Sequence, residues 1–209
     1  MIYKNEIAAS IADELLKIGA VKLSPAAPFT WASGILSPIY CDNRMILSFP
    51  EAREKVALSF AKIIEEKYAD VDIIAGVATG AIAHGVLVAA ALNKPFIYIR
   101  DKPKGHGRQN IIEGFYEKGK KVVVIEDLIS TGGSSLKAVQ ACEEAGLEVM
   151  GLLAIFSYQF KEAIDNFKQH SCTYYTLSDF PFLLEMSKNS DRYSKLDIDF
   201  MESWYASYQ

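Results

Sequence analysis

Two adjacent carboxylates, Glu126 and Asp127, come just before a short run of small, hydroxyl-bearing residues at positions 130–134. Little side-chain bulk lets the backbone of that run turn sharply and present its N–H groups. A helix is predicted to follow at once, so its free N–H groups and positive dipole end face the same turn. The run also carries three hydroxyl donors: Ser130, Thr131 and Ser134. Such a turn is typical of a phosphate-binding site.

The carboxylates add a condition, because they repel phosphate unless a neutral or cationic group lies between. A phosphorylated ribose satisfies it, since its vicinal hydroxyls can donate to Glu126 and Asp127 while its 5′-phosphate lies on the helix end. The common nucleotide loops do not match, because no Lys-Ser or Lys-Thr follows the glycines and no Gly-x-Gly-x-x-Gly opens the turn. The alternative is an ordinary strand-to-helix turn that carries no ligand.

The elements around this turn are predicted from apolar patterns. Residues 122–125 are continuously apolar and β-branched, which indicates a central parallel strand covered on both faces. Residues 135–145 indicate a helix stopped by Gly146. A second strand, 72–77, runs into another small turn, 76–80, which could present backbone N–H groups to a second anion or simply pack a helix closely.

A third strand, 95–99, leads into residues 100–110, the most basic part of an acidic chain. Glycines, a proline and the lack of an apolar anchor predict a mobile loop there. Its alternative is a solvated hairpin tip. The positive side chains are Arg100, Lys102, Lys104, His106 and Arg108.

Strands alternating with helices along the chain predict an α/β fold with a mostly parallel sheet. Helix starts are predicted at Asn5, at a capping box beginning with Ser48, and at Ser178 and Asp179. Buried apolar stripes are expected on these helices. His84 and His170 are expected to be packed or capping histidines rather than catalysts.

Composition limits the class of protein. The chain has 209 residues, half of them apolar, and a formal net charge of −4. These values predict a single globular domain and argue against a nucleic-acid surface. Three scattered cysteines, no signal peptide and no long apolar run predict a cytoplasmic protein without a membrane segment.

The stretch 122–135 resembles the signature of the type I phosphoribosyltransferases, which bind 5-phosphoribosyl 1-diphosphate (PRPP). Two further motifs look like those of the orotate phosphoribosyltransferases. One is Lys-x-His-Gly at 104–107 followed by Ile-Glu-Gly at 112–114, and the other is the polar and aromatic segment 29–44. The resemblance covers about residues 20–160.

The resemblance implies a Rossmann-like, mostly parallel sheet with a small hood formed by residues 1–45 and 178–209 of one domain, 1–209. It implies transfer of the phosphoribosyl group from PRPP to orotate, giving orotidine 5′-phosphate and pyrophosphate in pyrimidine (UMP) biosynthesis. Mg²⁺ would be held mainly by substrate and water rather than by a protein metal site. It also implies a homodimer in which the loop 100–110 acts in the neighbouring subunit's site, with no nucleic-acid or membrane partner.

The resemblance assigns roles residue by residue. Lys104 and Asp127 match catalytic positions, and Ser130 matches a position that contacts orotate. The turn 76–80 matches the loop that holds pyrophosphate. The positions that match PRPP-binding residues are Arg100, Lys104, His106, Glu126, Asp127, Leu128, Ile129, Ser130, Thr131, Gly132, Gly133 and Ser134.

Three departures limit this transfer of roles. Ala32 stands where some relatives have a lysine, so no base-binding role passes to it. Asp101 replaces another lysine, which removes a cationic contact. Gly80-Ala81 reverses the Ala-Gly order of many relatives and could alter the turn.

Two other functions remain open from the sequence. A phosphoribosyltransferase for another base would have no need of Lys104 and His106 in a closing loop. A PRPP-sensing regulator would use the fold only for binding and would carry a nucleic-acid surface, against which the acidic composition argues.

Overall fold

A computed structural model describes residues 1–31, 34–102 and 111–209 of the chain. The helices are α1 (Asn5–Lys17), α2 (Pro50–Lys67), α3 (Ala81–Leu92), α4 (Gly133–Glu144), α5 (Lys161–Gln169), α6 (Phe180–Lys188) and α7 (Lys195–Ala206), with a 3₁₀ helix at Asn43–Ser48. The strands are β1 (Val21–Leu23), β2 (Phe29–Thr30), β3 (Leu36–Ser37), β4 (Ile39–Cys41), β5 (Ile73–Val77), β6 (Phe96–Ile99), β7 (Ile112–Glu113), β8 (Lys121–Ile129), β9 (Glu148–Ser157) and β10 (Tyr174–Asp179).

A six-stranded sheet forms the centre of the protein, in the order β10-β9-β8-β5-β6-β7. The first five strands of that order are parallel, and only the edge strand β7 runs antiparallel to its neighbour. The predicted α/β fold with a mostly parallel sheet is therefore confirmed. The carboxyl ends of β5 and β8 lie side by side, which is where an open parallel sheet binds ligands.

Strand β8 is buried on both faces, as its β-branched run predicts. Val122 and Val124 belong to one apolar core, whereas Val123 and Ile125 belong to the core on the opposite face. All four side chains are fully buried. The strand continues past both carboxylates to Ile129, so the acidic pair lies near the carboxyl end of the strand rather than in a loop.

Most element positions agree with the sequence, but two of the three predicted caps are wrong. Asn5 is already the first helical residue of α1, and no side chain caps that helix. Likewise Phe49, not Ser48, precedes α2, which starts with Pro50 without a side-chain cap. Both helices therefore begin without a side-chain capping hydrogen bond. Asp179 does cap α6, accepting a hydrogen bond from the Phe182 amide at 3.0 Å.

Aromatic rings join the N-terminal hairpin of β2 and β3 to the C-terminal helix α7. The ring of Trp31 lies 5.8 Å from that of Trp204 and 5.2 Å from that of Tyr158, which follows β9. The two ends of the chain therefore meet beside the carboxyl edge of the sheet. No helix among the described residues is long and apolar enough to cross a membrane.

Candidate active site

The turn between β8 and α4 is sharp, as its small residues predict. Gly132 precedes the helix with φ of +80°, and a Cβ there would lie 2.9 Å from the Phe167 ring. A side chain is thus excluded both by the backbone conformation and by the available space. The hydroxyl-bearing Thr131 and Ser134 are exposed and Ser130 is partly buried. The helix begins at Gly133, two residues earlier than predicted.

Glu126 is held inside the protein. It is 4% exposed, one carboxylate oxygen accepts a hydrogen bond from the Ser135 hydroxyl at 2.9 Å, and the other accepts from the Asp127 amide at 3.0 Å. Burial raises the pKa of Glu126 well above its ordinary value, and the nearby charge of Asp127 raises it further. Removing a carboxylate from water penalises its charged form, which favours a protonated Glu126.

Asp127 is partly exposed, in contrast to its neighbour. Its main chain is tied to the N-terminal segment, because the buried amide of Asn43 donates a hydrogen bond to the Asp127 carbonyl at 2.6 Å. The sequence alone does not reveal this contact, since the two residues are far apart along the chain. It places the 3₁₀ helix directly beside the acidic end of β8.

The second turn, at the end of β5, lies against the first. A Cβ built on Gly80 would be 2.1 Å from Oδ2 of Asp127, so a side chain there would push the Asp127 carboxylate aside. Ala81, the first residue of α3, is fully buried. Thr79 is exposed.

Both turns open onto one cleft of about 270 Å³. Ala78 of the β5 turn, Ser134 of the β8 turn and Arg100 at the end of β6 all line it, together with Lys137 of α4. The guanidinium of Arg100 pairs with the Glu113 carboxylate at 3.4 Å, which holds its charge near the cleft. Residues of both turns therefore line one cleft together with two cationic side chains.

The histidines are placed as expected. His84, one turn into α3, is 1% exposed and packed, and burial lowers its pKa although the Asn43 backbone and the Asp127 charge act in the opposite direction. His170 ends α5, with its Nδ1 2.8 Å from the Asn166 carbonyl oxygen. The ring of His84 is closed to solvent, whereas His170 is exposed at the C-terminal end of α5.

Several predicted residues lie outside the described part of the chain. They are Ala32, Lys104, His106 and Arg108. The expected mobility of the basic loop and the catalytic role of Lys104 therefore stay predictions.

The residues that the sequence analysis did not single out are Asn43, Ser135 and Lys137. Ser135 follows the predicted cradle directly, and its position at the third residue of α4 turns it back toward Glu126. A polar residue at that place in a helix was the available signal. Asn43 offered none, because its partner is on another element.

Among residues 1–31, 34–102 and 111–209, no group of three or more histidine, cysteine, aspartate or glutamate side chains could hold a metal ion. A resident metal centre is thus not found in that part of the chain. Asp127 is partly exposed at the end of β8, and its carboxylate could join a metal that arrives with its own oxygen ligands.

The sheet order, the two facing turns and the acidic pair at the end of β8 define a phosphoribosyltransferase fold. A family model described as the phosphoribosyl transferase domain matches residues 42–177. That match includes both turns and the whole of the parallel sheet except part of its last strand.

Comparison with individual proteins narrows the class. An orotate phosphoribosyltransferase of Phocaeicola vulgatus is 52% identical over 193 residues, which cover 92% of this chain and 91% of that protein. One from Staphylococcus saprophyticus is 50% identical, with 95% and 98% covered. The crystal structure of orotate phosphoribosyltransferase from Aeropyrum pernix superposes with a TM-score of 0.76 at 27% identity, with 86% and 99% covered. The chain belongs to the orotate phosphoribosyltransferase family.

Proposed function

We propose that this protein transfers the 5-phosphoribosyl group from PRPP to orotate, giving orotidine 5′-phosphate and pyrophosphate in pyrimidine (UMP) biosynthesis. The observation that carries the proposal is made at the end of β8. There Asp127 lies between the sharp turn at Gly132 and the β5 turn, in which Gly80 leaves space for the Asp127 side chain. Membership in the family supplies the identity of the base. Both rival functions lack this combination of support.

The reaction explains the carboxylates. Displacement of pyrophosphate from the anomeric carbon builds positive charge on the ribose, so a fixed negative group beside the sugar lowers the barrier. Asp127 is the partly exposed member of the pair and would accept hydrogen bonds from the ribose hydroxyls. Glu126, buried behind it, would hold the Asp127 backbone and complete the sugar contacts.

The β8 turn would bind the 5′-phosphate. Residues 130–134 provide backbone N–H groups at the start of α4, and the exposed Thr131 and Ser134 add hydroxyl donors. Leu128 and Ile129 place that turn as the last residues of β8. Ser130, partly buried at the strand end, would contact orotate as the family assignment implies.

The leaving pyrophosphate would meet the β5 turn and the cations. Arg100 already lines the cleft that both turns share. Lys104 and His106 would join it by the family assignment, although they lie outside the described residues. Mg²⁺, if bound there with PRPP, would supply positive charge at the diphosphate. Asp127 is the side chain that would help to hold it, with substrate oxygens and water as the other ligands.

A homodimer is supported by the composition of α3. Its twelve residues, Ala81–Leu92, contain no Asp, Glu, Lys or Arg, yet Val86 is 45% exposed and Ala90 and Ala91 are exposed as well. A helix that is apolar all round is normally covered. We assign a second copy of this chain as the cover, because α3 begins at the site into which the partner's loop, 100–110, would reach. The cytoplasmic location expected from the sequence stays a prediction.

The first test is base selectivity. The purified protein with PRPP and Mg²⁺ should consume orotate and release pyrophosphate, and should not use adenine, hypoxanthine or uracil. Turnover of a purine would contradict the choice of base. Binding of PRPP without turnover of any base would favour the regulator.

The second test addresses the loop acting between subunits. Lys104→Ala and Asp127→Asn proteins should each be inactive, but their mixture should recover activity, because a hybrid dimer contains one site with both native residues. Lack of recovery, after subunit exchange has been verified by mass spectrometry, would contradict this arrangement. A Val86→Glu protein should run as a monomer on light scattering if α3 forms the interface.

A further inference from the structure

Orotate differs from uracil by one carboxylate, and a base bound at Ser130, as proposed, would bring that carboxylate toward Asp127. The partly exposed carboxylate of Asp127 lies at the end of β8, and Ser130 follows three positions later. Two like charges brought close together cost free energy unless a cation lies near the incoming one. A site that selects orotate over uracil therefore needs a positive group on the base side of Asp127.

The 3₁₀ helix brings such a group to the correct place. Asn43 is fixed to β8 by its 2.6 Å hydrogen bond to the Asp127 carbonyl, and Arg44 is the next residue. The charge of Asp127 acts on the guanidinium of Arg44, as does that of the Tyr40 hydroxyl in its ionised form. Arg44, on the 3₁₀ helix Asn43–Ser48, thus lies near the acidic end of β8.

The guanidinium is oriented but not fully used. Its Nε and one Nη donate to the two carboxylate oxygens of Asp42 at 2.7 and 2.9 Å. A guanidinium carries five N–H donors in one plane, so a second edge remains for another carboxylate. The side chain is 66% exposed, so that edge is open to a ligand.

We propose that Arg44 binds the carboxylate of orotate and thereby selects orotate over pyrimidines that lack it. The inference rests on the proposed function and adds the group that sets its base specificity. Asp42 holds the guanidinium in one orientation, so recognition depends on directed N–H donors as well as on charge. Lysine supplies the charge without the planar pair of donors.

The experiment compares two nucleotides that differ only by the carboxylate. Orotidine 5′-phosphate and UMP are titrated into the full-length protein by calorimetry, which requires no turnover. In Arg44→Gln, the Kd of orotidine 5′-phosphate should rise about 10- to 100-fold while the Kd of UMP changes less than about twofold. Arg44→Lys should give an intermediate loss. The matched control is Arg192→Gln, which removes the same charge from an exposed position between α6 and α7.

The outcomes separate the inference from the function on which it rests. Equal weakening of both nucleotides in Arg44→Gln would assign Arg44 a structural role and overturn the inference, as would no weakening of either. Unchanged preference for orotidine 5′-phosphate over UMP also overturns it. If the wild-type protein itself does not turn over orotate, the proposed function fails instead. Circular dichroism and melting temperature verify that each variant is folded.

Discussion

The two turns that face each other across the site are built on different principles. The β8 turn is rich in polar side chains, with two carboxylates before it and hydroxyls within it. The β5 turn carries almost none and contributes backbone and space, since Gly80 lies where a Cβ would be 2.1 Å from Asp127. The β8 turn therefore contributes polar side chains, and the β5 turn contributes the space that the Asp127 side chain occupies. A residue can be essential to a site because of what its side chain lacks.

The largest expected loss of activity comes from changing the carboxylates at the β8 turn. Asp127→Asn removes the charge beside the ribose while keeping the shape, so kcat/KM should fall at least about 100-fold. Glu126→Gln should lose much less, because burial already favours the neutral form of that side chain. Steady-state kinetics with orotate and PRPP measure both variants. Equal losses would show that the two carboxylates are not divided into an exposed charge and a buried support.

The next largest loss of activity is expected from Gly80 in the β5 turn. Gly80→Ala forces the Asp127 carboxylate aside, so kcat/KM should fall about 10- to 100-fold because positioning is lost. Stability should change little, since an exposed carboxylate can move.

Gly151→Ala provides the matched control for that change. Its Cβ would lie 2.4 Å from the Tyr68 hydroxyl oxygen, within the core near the amino end of β9. Overpacking there should cost about 1–3 kcal/mol of unfolding free energy and leave kcat/KM nearly unchanged. Full activity of Gly80→Ala would refute the role of this close approach.

A third prediction follows from the raised pKa of Glu126. The folded protein keeps the proton on Glu126 after the unfolded chain, with its ordinary pKa near 4.5, has released it. Stability from this residue is therefore complete below that value and is lost as the pH rises toward the folded-state pKa.

The side chain in the Glu126→Gln variant cannot ionise. The unfolding free energy of this variant should therefore increase relative to that of the wild type as the pH rises. The gain should be at most about 1.4 kcal/mol for each pH unit over which only the unfolded state is ionised. Urea unfolding at about pH 5 and about pH 8 measures it. A difference between the two proteins that is independent of pH would mean that Glu126 is ionised in the folded state.

The smallest expected effect is on the phosphate donors. Ser134→Ala removes one exposed hydroxyl from the β8 turn, so the KM for PRPP should rise about 3- to 10-fold, as for loss of one hydrogen bond to a charged group. The melting temperature should not change. If the affinity for free pyrophosphate fell as much as that for ribose 5-phosphate, the two turns would not be divided between the two phosphate groups.

The β8 turn can be predicted from the sequence better than the β5 turn. Val122 to Ile125, the acidic pair and the hydroxyls are local signals, because strand burial and helix starts depend on neighbouring residues. The contacts of Gly80 with Asp127 and of Asn43 with the Asp127 carbonyl join distant parts of the chain, so no local pattern contains them. The caps at Asn5 and Ser48 were wrong because propensity does not decide where a packed helix begins.

The division of labour between the turns is tested most directly by amide chemical shifts of ¹⁵N-labelled protein. Ribose 5-phosphate should perturb the amides of residues 130–134 and leave those of residues 78–81 nearly unchanged. Pyrophosphate with Mg²⁺ should do the reverse. Perturbation of the same turn by both ligands, or an exchange of the two patterns, would contradict the account.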